Sequence, residues 1–415
     1  MVQLNADSCY IFTDLETTGL DINFSQIIQV GSLLTDESLV IEDEQDLSSK
    51  LLPWIVPNPE ALLVNKKLEC LKDEGTSHYE MMIKLRKDWL DWSKNRNPIF
   101  ITYNGHRFDE ELLRRQFYWC LLDPYITNTG GATRLDLMYT FQIIANFFPE
   151  SMSVPVTQEG EVSLKLTDWA ESNQVPSQNA HDALADCYLM VNLSRIIKER
   201  AKQAWESSLK GSSKDGNLRL LQTEPFTVLG EIVRKKKFIY PITFCGQNQK
   251  MTNEVAVVDL YYDPDSLDEL SDSELLEQIG TSGTGIIKLK INRSLPLISS
   301  LDVPSIQNYL DIPFKQLEER AYKIRNNTNL QNRISELLTK SQIQYPAPQY
   351  IEQKVYSGFA SDEDKLWMER FHNTPWKERS KLIGGFTDSR YKELAGRLIH
   401  LESPEGLKDT AKKEY

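Results

Sequence analysis

The chain has 415 residues, too many for one ordinary core, and its 40% hydrophobic and 10% aromatic content excludes a disordered protein and points to two or three globular domains. A net charge of −13 argues on its face against a nucleic-acid partner, although an average hides local basic blocks. Five cysteines without a Cys-x-x-Cys pair exclude a zinc ribbon or disulfide framework, and the absence of a signal pattern or bilayer-length apolar run makes a reducing cytoplasm the expected setting.

Cys9 to Phe12 is an apolar run that reads as a buried strand and leads into Thr13-Asp14-Leu15-Glu16-Thr17-Thr18-Gly19. Strand residues two apart share a face, so Asp14 and Glu16 present two carboxylates side by side. That pair is costly without a cation and suits Mg²⁺ or Mn²⁺, yet Asp-x-Glu alone is more often a solvated strand end. Residues 26–35 and 38–55 read as partner strands, 78–92 as a helix, 98–103 as a short buried strand and 110–122 as a helix. Asp109, where that strand meets that helix, is by default a helix cap. Helices over 135–147, 164–172 and 182–198 complete an α/β unit, a mixed sheet flanked by helices. Asp182 and Asp186 fall four apart on the last helix, with His181 just before its first turn.

At 211–216 the composition turns small and polar, the expected flexible joint and first boundary. Residues 227–233, 238–244, 255–262 and 285–291 read as strands separated by turn residues, most economically a compact barrel. Helical period returns over 311–340, Pro346 and Pro348 stiffen a second boundary, and 362–401 is amphipathic with Trp367, Phe371 and Trp376 as core candidates. Arg234, Lys235, Lys236 and Lys237 form one basic block, and Arg320, Lys323, Arg325 and Arg333 recur at near-helical spacing. Such runs are usually solvated faces.

Asp14-x-Glu16, Asp109 and His181-x4-Asp186, in that order, resemble the three motifs of the DEDDh family of 3′→5′ exonucleases, which is built on a ribonuclease H-like fold. Three ordered motifs are far more specific than any one of them. Within that family the chain is similar to the bacterial exodeoxyribonucleases I, through YNGHRFDEELLRRQFYWCLLDPY, TRLDLM and NAHDALADCY, and then VVDL, KINRSLPLI and YSGFASDED, over nearly its whole length. The resemblance implies a DEDDh exonuclease domain over 1–200, an SH3-like domain over 201–350 and a small C-terminal helical domain over 351–415 that looks abbreviated. It also implies hydrolysis of single-stranded DNA to 5′-mononucleotides, in repair and recombination, by a cytoplasmic, nucleoid-associated bacterial monomer without membrane contact. Its implied protein partner is the acidic C-terminal tail of single-stranded-DNA-binding protein, with Arg320, Lys323 and Arg325 as candidate contacts.

Phosphodiester hydrolysis needs an activated water on one side of phosphorus and a stabilised leaving oxygen on the other, which two Mg²⁺ ions roughly 3.5–4 Å apart provide, Mn²⁺ substituting. Asp14 is expected to bridge both ions, Glu16 and Asp186 to complete the first, and Asp109 to support the second directly or through water. His181, with an ordinary pKa of about 6.5, is the expected general base. Thr17, Thr18, Gly19 and Asn104 are expected at the substrate, and Arg234 to Lys237, beside Phe238 and Tyr240, are expected to track the strand. Two other readings compete. An exoribonuclease like ribonuclease T or oligoribonuclease would be a short single-domain chain, and a non-catalytic scaffold would have no need to keep all five site residues.

Overall fold

Strand β1 (Ser8–Thr17) is the hub of the first of two five-stranded sheets in the computed structural model, which describes residues 8–72, 74–177, 182–281, 283–341 and 346–407. With β2 (Ile27–Thr35), β3 (Ile41–Ser48), β4 (Asn97–Thr102) and β5 (Thr133–Asp136) it forms the spatial order β3-β2-β1-β4-β5. β1 runs antiparallel to β2 and parallel to β4, so the sheet is mixed, as its alternation with helices implies. Strand β5 is hidden in the sequence because its four residues run straight into a helix whose apolar period absorbs them.

Helices α1 (Pro59–Asn65), α2 (His78–Trp92), α3 (Asp109–Trp119), α4 (Leu137–Phe147), α5 (Leu166–Ser172) and α6 (Ala183–Arg200) accompany this sheet. In α2 the reasons are local: Ser77 and Glu80 form a capping box, and Met81, Met82, Leu85, Trp89 and Trp92 recur every three or four residues to bury one face. The expected flexible joint at 211–216 is instead a tight turn at 211–213 and the first residues of a helix, between α7 (Lys202–Lys210) and the body of α8 (Lys214–Thr223). Ser213 caps α8 by accepting from the Gly216 N–H at 3.0 Å, and the buried Asn217 amide donates to the carbonyls of Gly211 and Ile291. Small polar residues suit a helix cap as well as a linker.

The second sheet contains β6 (Thr227–Val233), β7 (Lys236–Gln247), β8 (Glu254–Asp259), β9 (Ile286–Lys290) and β10 (Leu297–Ser299), ordered β10-β6-β7-β8-β9 with every neighbouring pair antiparallel. Among the described residues β9 and β10 share no ladder, so the strand pairing is open where a barrel would close. Helices α9 (Pro264–Asp268), α10 (Asp272–Gln278), α11 (Phe314–Asn326) and α12 (Thr328–Lys340) belong to this part, and α13 (Asp362–Asn373), α14 (Trp376–Arg379) and α15 (Ser389–Glu402) follow. Phe371 is fully buried, while Trp367 and Trp376 are partly buried against the same core. No helix among the described residues is long and apolar enough to cross a membrane, and all five cysteines are buried and free.

Alternate residues of β1 choose between two cores. Tyr10 and Phe12 join Phe141 and Trp169 in a core that continues to Phe226, Ile298 and Leu317 of the second-sheet part. Cys9 and Ile11 join Trp89 and Phe117 in one that continues to Phe371, Tyr391 and Ile399 near the C-terminus. The first core also takes in Ala201, Ala204 and Trp205, so the chain passes residue 200 without leaving it.

Candidate active site

Asp14 and Glu16 continue the Tyr10 and Phe12 face of β1, the face on which Cys187 and Met190 of α6 are packed. The Asp182 side chain accepts from the Ala185 N–H at 3.1 Å, so Asp182 caps α6 instead of lying along it, and Asp186 falls in the first turn. Gly31 lets this helix end come down onto the sheet. It pairs with Asp14 across β1 and β2, and a Cβ there would lie 2.3 Å from Leu184 N. The result is that carboxylate oxygens of Asp14, Glu16 and Asp186 lie within 4.8 Å of one another.

Asp109 arrives from the other side as the buried first residue of α3, not as its cap. Gly105 is again a close-approach residue, since a Cβ there would lie 2.9 Å from Asp109 Oδ2. The turn carrying Asp109 is held by Asp136 at the end of β5, which accepts from the backbone N–H of Asn104 at 2.7 Å, Met138 at 3.2 Å and His106 at 3.4 Å. Behind it stands the loop between β9 and β10. Ser294 accepts from Asp136 N at 2.9 Å and donates its own N–H to His106 Nδ1 at 3.1 Å, while Arg134 ties Glu110 to the Asn292 carbonyl.

Burial pushes the Asp14 carboxyl well above the usual range, and Asp109, Asp186 and Glu16 push it further. Burial and then Asp186 raise Glu16 to about 7, although Lys67 and Asn65 oppose them. Burial and then Asp136 raise Asp109 to about 7. Carboxyls gathered in this way disfavour their own ionisation until a cation joins them, and buried hard oxygen donors fit a divalent ion. His181 lies outside the described residues.

The chain shows sequence similarity to known families at both ends. Residues 11–194 match the family described as Exonuclease, and 349–415 match the Exonuclease I C-terminal domain. Exodeoxyribonuclease I of Buchnera aphidicola (subsp. Acyrthosiphon pisum) is 23% identical over 402 residues, covering 93% of this chain and 95% of that protein. The Escherichia coli enzyme of the same name is 23% identical over 412 residues, covering 93% and 84%. Along nearly its whole length the chain is similar to the exodeoxyribonucleases I. A solved structure, E. coli Exonuclease I in complex with a dA16 oligonucleotide, superimposes with a TM-score of 0.83 at 20% identity, over 98% of this chain and 89% of that one, so the first sheet has the ribonuclease H-like exonuclease fold.

The remaining expected site residues fall into two groups. Thr17, Thr18 and Gly19 form a buried turn at the end of β1, just after a register shift at Glu16 and Thr17. Thr17 Oγ1 donates to the Gly19 carbonyl at 2.9 Å and Thr18 Oγ1 accepts from Gln26 N at 2.8 Å, so the hydroxyls shape the turn. Asn104 is exposed, with left-handed backbone (φ 57°). Among the basic residues, Arg234 and Lys235 are the two central residues of the tight β6–β7 hairpin, both left-handed (φ 49° and 64°). Lys235 pairs with Glu161 at 3.2 Å and Lys237 donates to the Ala145 carbonyl, which leaves Arg234 and Lys236 as the members of the block with neither an ion pair nor a side-chain hydrogen bond among the described residues. Arg320 clamps the Leu260 and Tyr261 carbonyls, Arg325 clamps those of Gln222, Glu224 and Pro225, and Lys323 pairs with Asp265 at 2.9 Å.

Sequence reasoning misses Gly31, Asn65, Lys67 and Asp136. Only Gly31 carries a local sign, a lone glycine inside an apolar strand, which often marks close backbone approach.

Proposed function

We propose that this chain is a divalent-metal-dependent 3′→5′ exodeoxyribonuclease that shortens single-stranded DNA to 5′-mononucleotides, in repair and recombination. The observation that carries the reading is the gathering of Asp14, Glu16 and Asp186 oxygens within 4.8 Å beside a buried Asp109, in a chain similar from end to end to exodeoxyribonucleases I. Two Mg²⁺ ions, or Mn²⁺ in their place, would supply Lewis-acid polarisation of the phosphate and lower the pKa of water there. Asp14, on which both Asp109 and Asp186 act, would be the residue to be shared; Glu16 and Asp186 would complete one ion's ligands and Asp109 would support the other. His181 accepts the proton of the attacking water, a role of ordinary size for an imidazole near neutral pH.

The second sheet with its helices is read as the SH3-like domain over 201–350, and 351–415 as the helical domain. The strand is taken to run past Asn104 and the Thr17–Gly19 turn, with Arg234 to Lys237 tracking its backbone. Two adjacent left-handed cations are a poor choice for a turn that favours Asn or Gly, which supports a use for their charge. The acidic tail of single-stranded-DNA-binding protein is the expected protein partner. Arg320, Lys323 and Arg325 are its expected contacts and would have to share or release their internal bonds to reach it.

The test is digestion of matched, end-labelled single-stranded DNA, duplex DNA and RNA with Mg²⁺ and with EDTA. The expected result is loss of single-stranded DNA from the 3′ end only when metal is present. Release from the 5′ end first, or digestion of RNA alone, would overturn the reading.

A further inference from the structure

The turn after α1 brings a cation up to the acidic cluster. Buried Asn65 donates from Nδ2 to the Thr17 carbonyl at 3.1 Å, fixing the end of α1 against the end of β1. Lys66 then takes left-handed backbone (φ 57°) and closes the helix on the Leu62 carbonyl. This turn delivers Lys67, whose Nζ lies 2.6 Å from Asp182 Oδ2, with side-chain exposures of 24% and 32%. The Asp182 carboxylate also accepts from Gln29 Nε2 and from Ala185 N, each at 3.1 Å. It stands one helical turn, ~5–6 Å, from Asp186.

An ion pair this exposed adds little to stability. Its members matter for what they face. Asp182 acts on both Asp14 and Glu16 as a further negative charge, and Lys67 acts on Glu16 as a positive one. Burial would raise the Asp182 carboxyl, yet hydrogen bonds from Lys67, Gln29 and Ala185 bring it below the ordinary value, so it is a lasting anion at the rim. A cation bound by Asp14, Glu16 and Asp186 would therefore feel two fixed charges of opposite sign that are not its ligands.

We propose that Lys67 and Asp182 set the affinity of the carboxylate cluster for its divalent cations by opposed fields, Lys67 weakening the hold and Asp182 strengthening it, without either touching the ion. This rests on the metal-dependent reading above. At a separation of one to two helical turns, a unit charge acting on a divalent ion near a protein surface, screened by solvent and salt, changes affinity on the order of tenfold.

The experiment is Mn²⁺ binding to the full chain without DNA, by calorimetry and by the electron paramagnetic resonance of free Mn²⁺. Lys67→Met is expected to bind on the order of tenfold more tightly and Asp182→Asn more weakly by a similar factor, asparagine keeping the cap on Ala185 N. The double variant removes both charges and is expected to return close to wild type; Lys67→Arg, which keeps the charge, should stay there. Circular dichroism melts check folding, and Lys67→Gln serves as a second neutral replacement. If wild type binds Mn²⁺ but the two single variants shift in the same direction, or neither shifts, the opposed-field proposal is overturned while the metal-dependent reading stands. If wild type binds no Mn²⁺, both fall.

Discussion

The carboxylate cluster and the basic hairpin are two concentrations of like charge built in opposite ways. Asp14, Glu16 and Asp186 come from β1 and α6, and the fold carries them together against desolvation and mutual repulsion. Arg234 to Lys237 are neighbours in the chain, stay exposed, and in part find internal partners in Glu161 and the Ala145 carbonyl. Like charges assembled at a cost point to a ligand, whereas like charges that merely follow one another are compatible with a wet surface.

The contrast breaks first at the proposed metal ligands. Asp14→Asn or Asp186→Asn should abolish measurable hydrolysis in a nucleotide-release assay while single-strand binding is kept or tightened as anionic repulsion falls. Near wild-type turnover would remove that residue from the ligand set. His181→Ala should lower kcat by on the order of 10²–10⁴ with little change in KM. The wild-type rate should rise with pH through the imidazole titration, and a profile that the substitution leaves unaltered would take the base role from His181.

Gly31→Ala tests the assembly itself. The added methyl meets Leu184 N, so overpacking should cost about 1–3 kcal/mol, read as a lower urea midpoint, and kcat should fall because α6 must lift and take Asp186 with it. A loss of stability with unchanged kcat would mean the cluster tolerates the shift. The raised carboxyls give a further handle, in the metal-free protein. Glu16 and Asp109 rise from ordinary values of 4.5 and 3.8 to about 7, so the folded state holds more protons between those limits. Their contribution is full below the unfolded values and is lost as pH rises through about 7, so the urea midpoint should drop between about pH 5 and pH 8. Adding Mn²⁺ should raise it more at the higher pH; a midpoint independent of pH would count against a repulsive cluster.

The smallest effect is expected at the hairpin. Arg234→Ala with Lys236→Ala should lower the slope of log affinity against log salt by roughly 0.7 for each phosphate that the variant no longer neutralises. Product runs on long strands should shorten while hydrolysis of a dinucleotide is unaffected. An unchanged slope and run length would leave the block as surface charge.

The parts of the fold that are written locally are legible in the sequence. Helix α2 can be read because its capping box and apolar period lie within one segment, and β1 because apolar residues lead straight to the acidic pair. Strand β5 is masked by the helix that follows it, and the cap at Ser213 passes for a joint because caps and linkers draw on the same small polar residues. At the site, the four acids can be picked out by type and order. Lys67 and Asp136 cannot, because what makes them matter is contact with Asp182 and with the Asn104 turn, and neither partner is near them in the chain.

One strand, β1, is gripped from both sides: its Tyr10 and Phe12 face shares a core with the second-sheet part, and its Ile11 face shares one with the C-terminal helices. Those parts are therefore not appendages that could be shed to leave a free-standing nuclease. Removing either would strip a wall from the strand that holds Asp14 and Glu16, so catalysis and whatever the other parts contribute should be lost together on heating, in a single calorimetric transition.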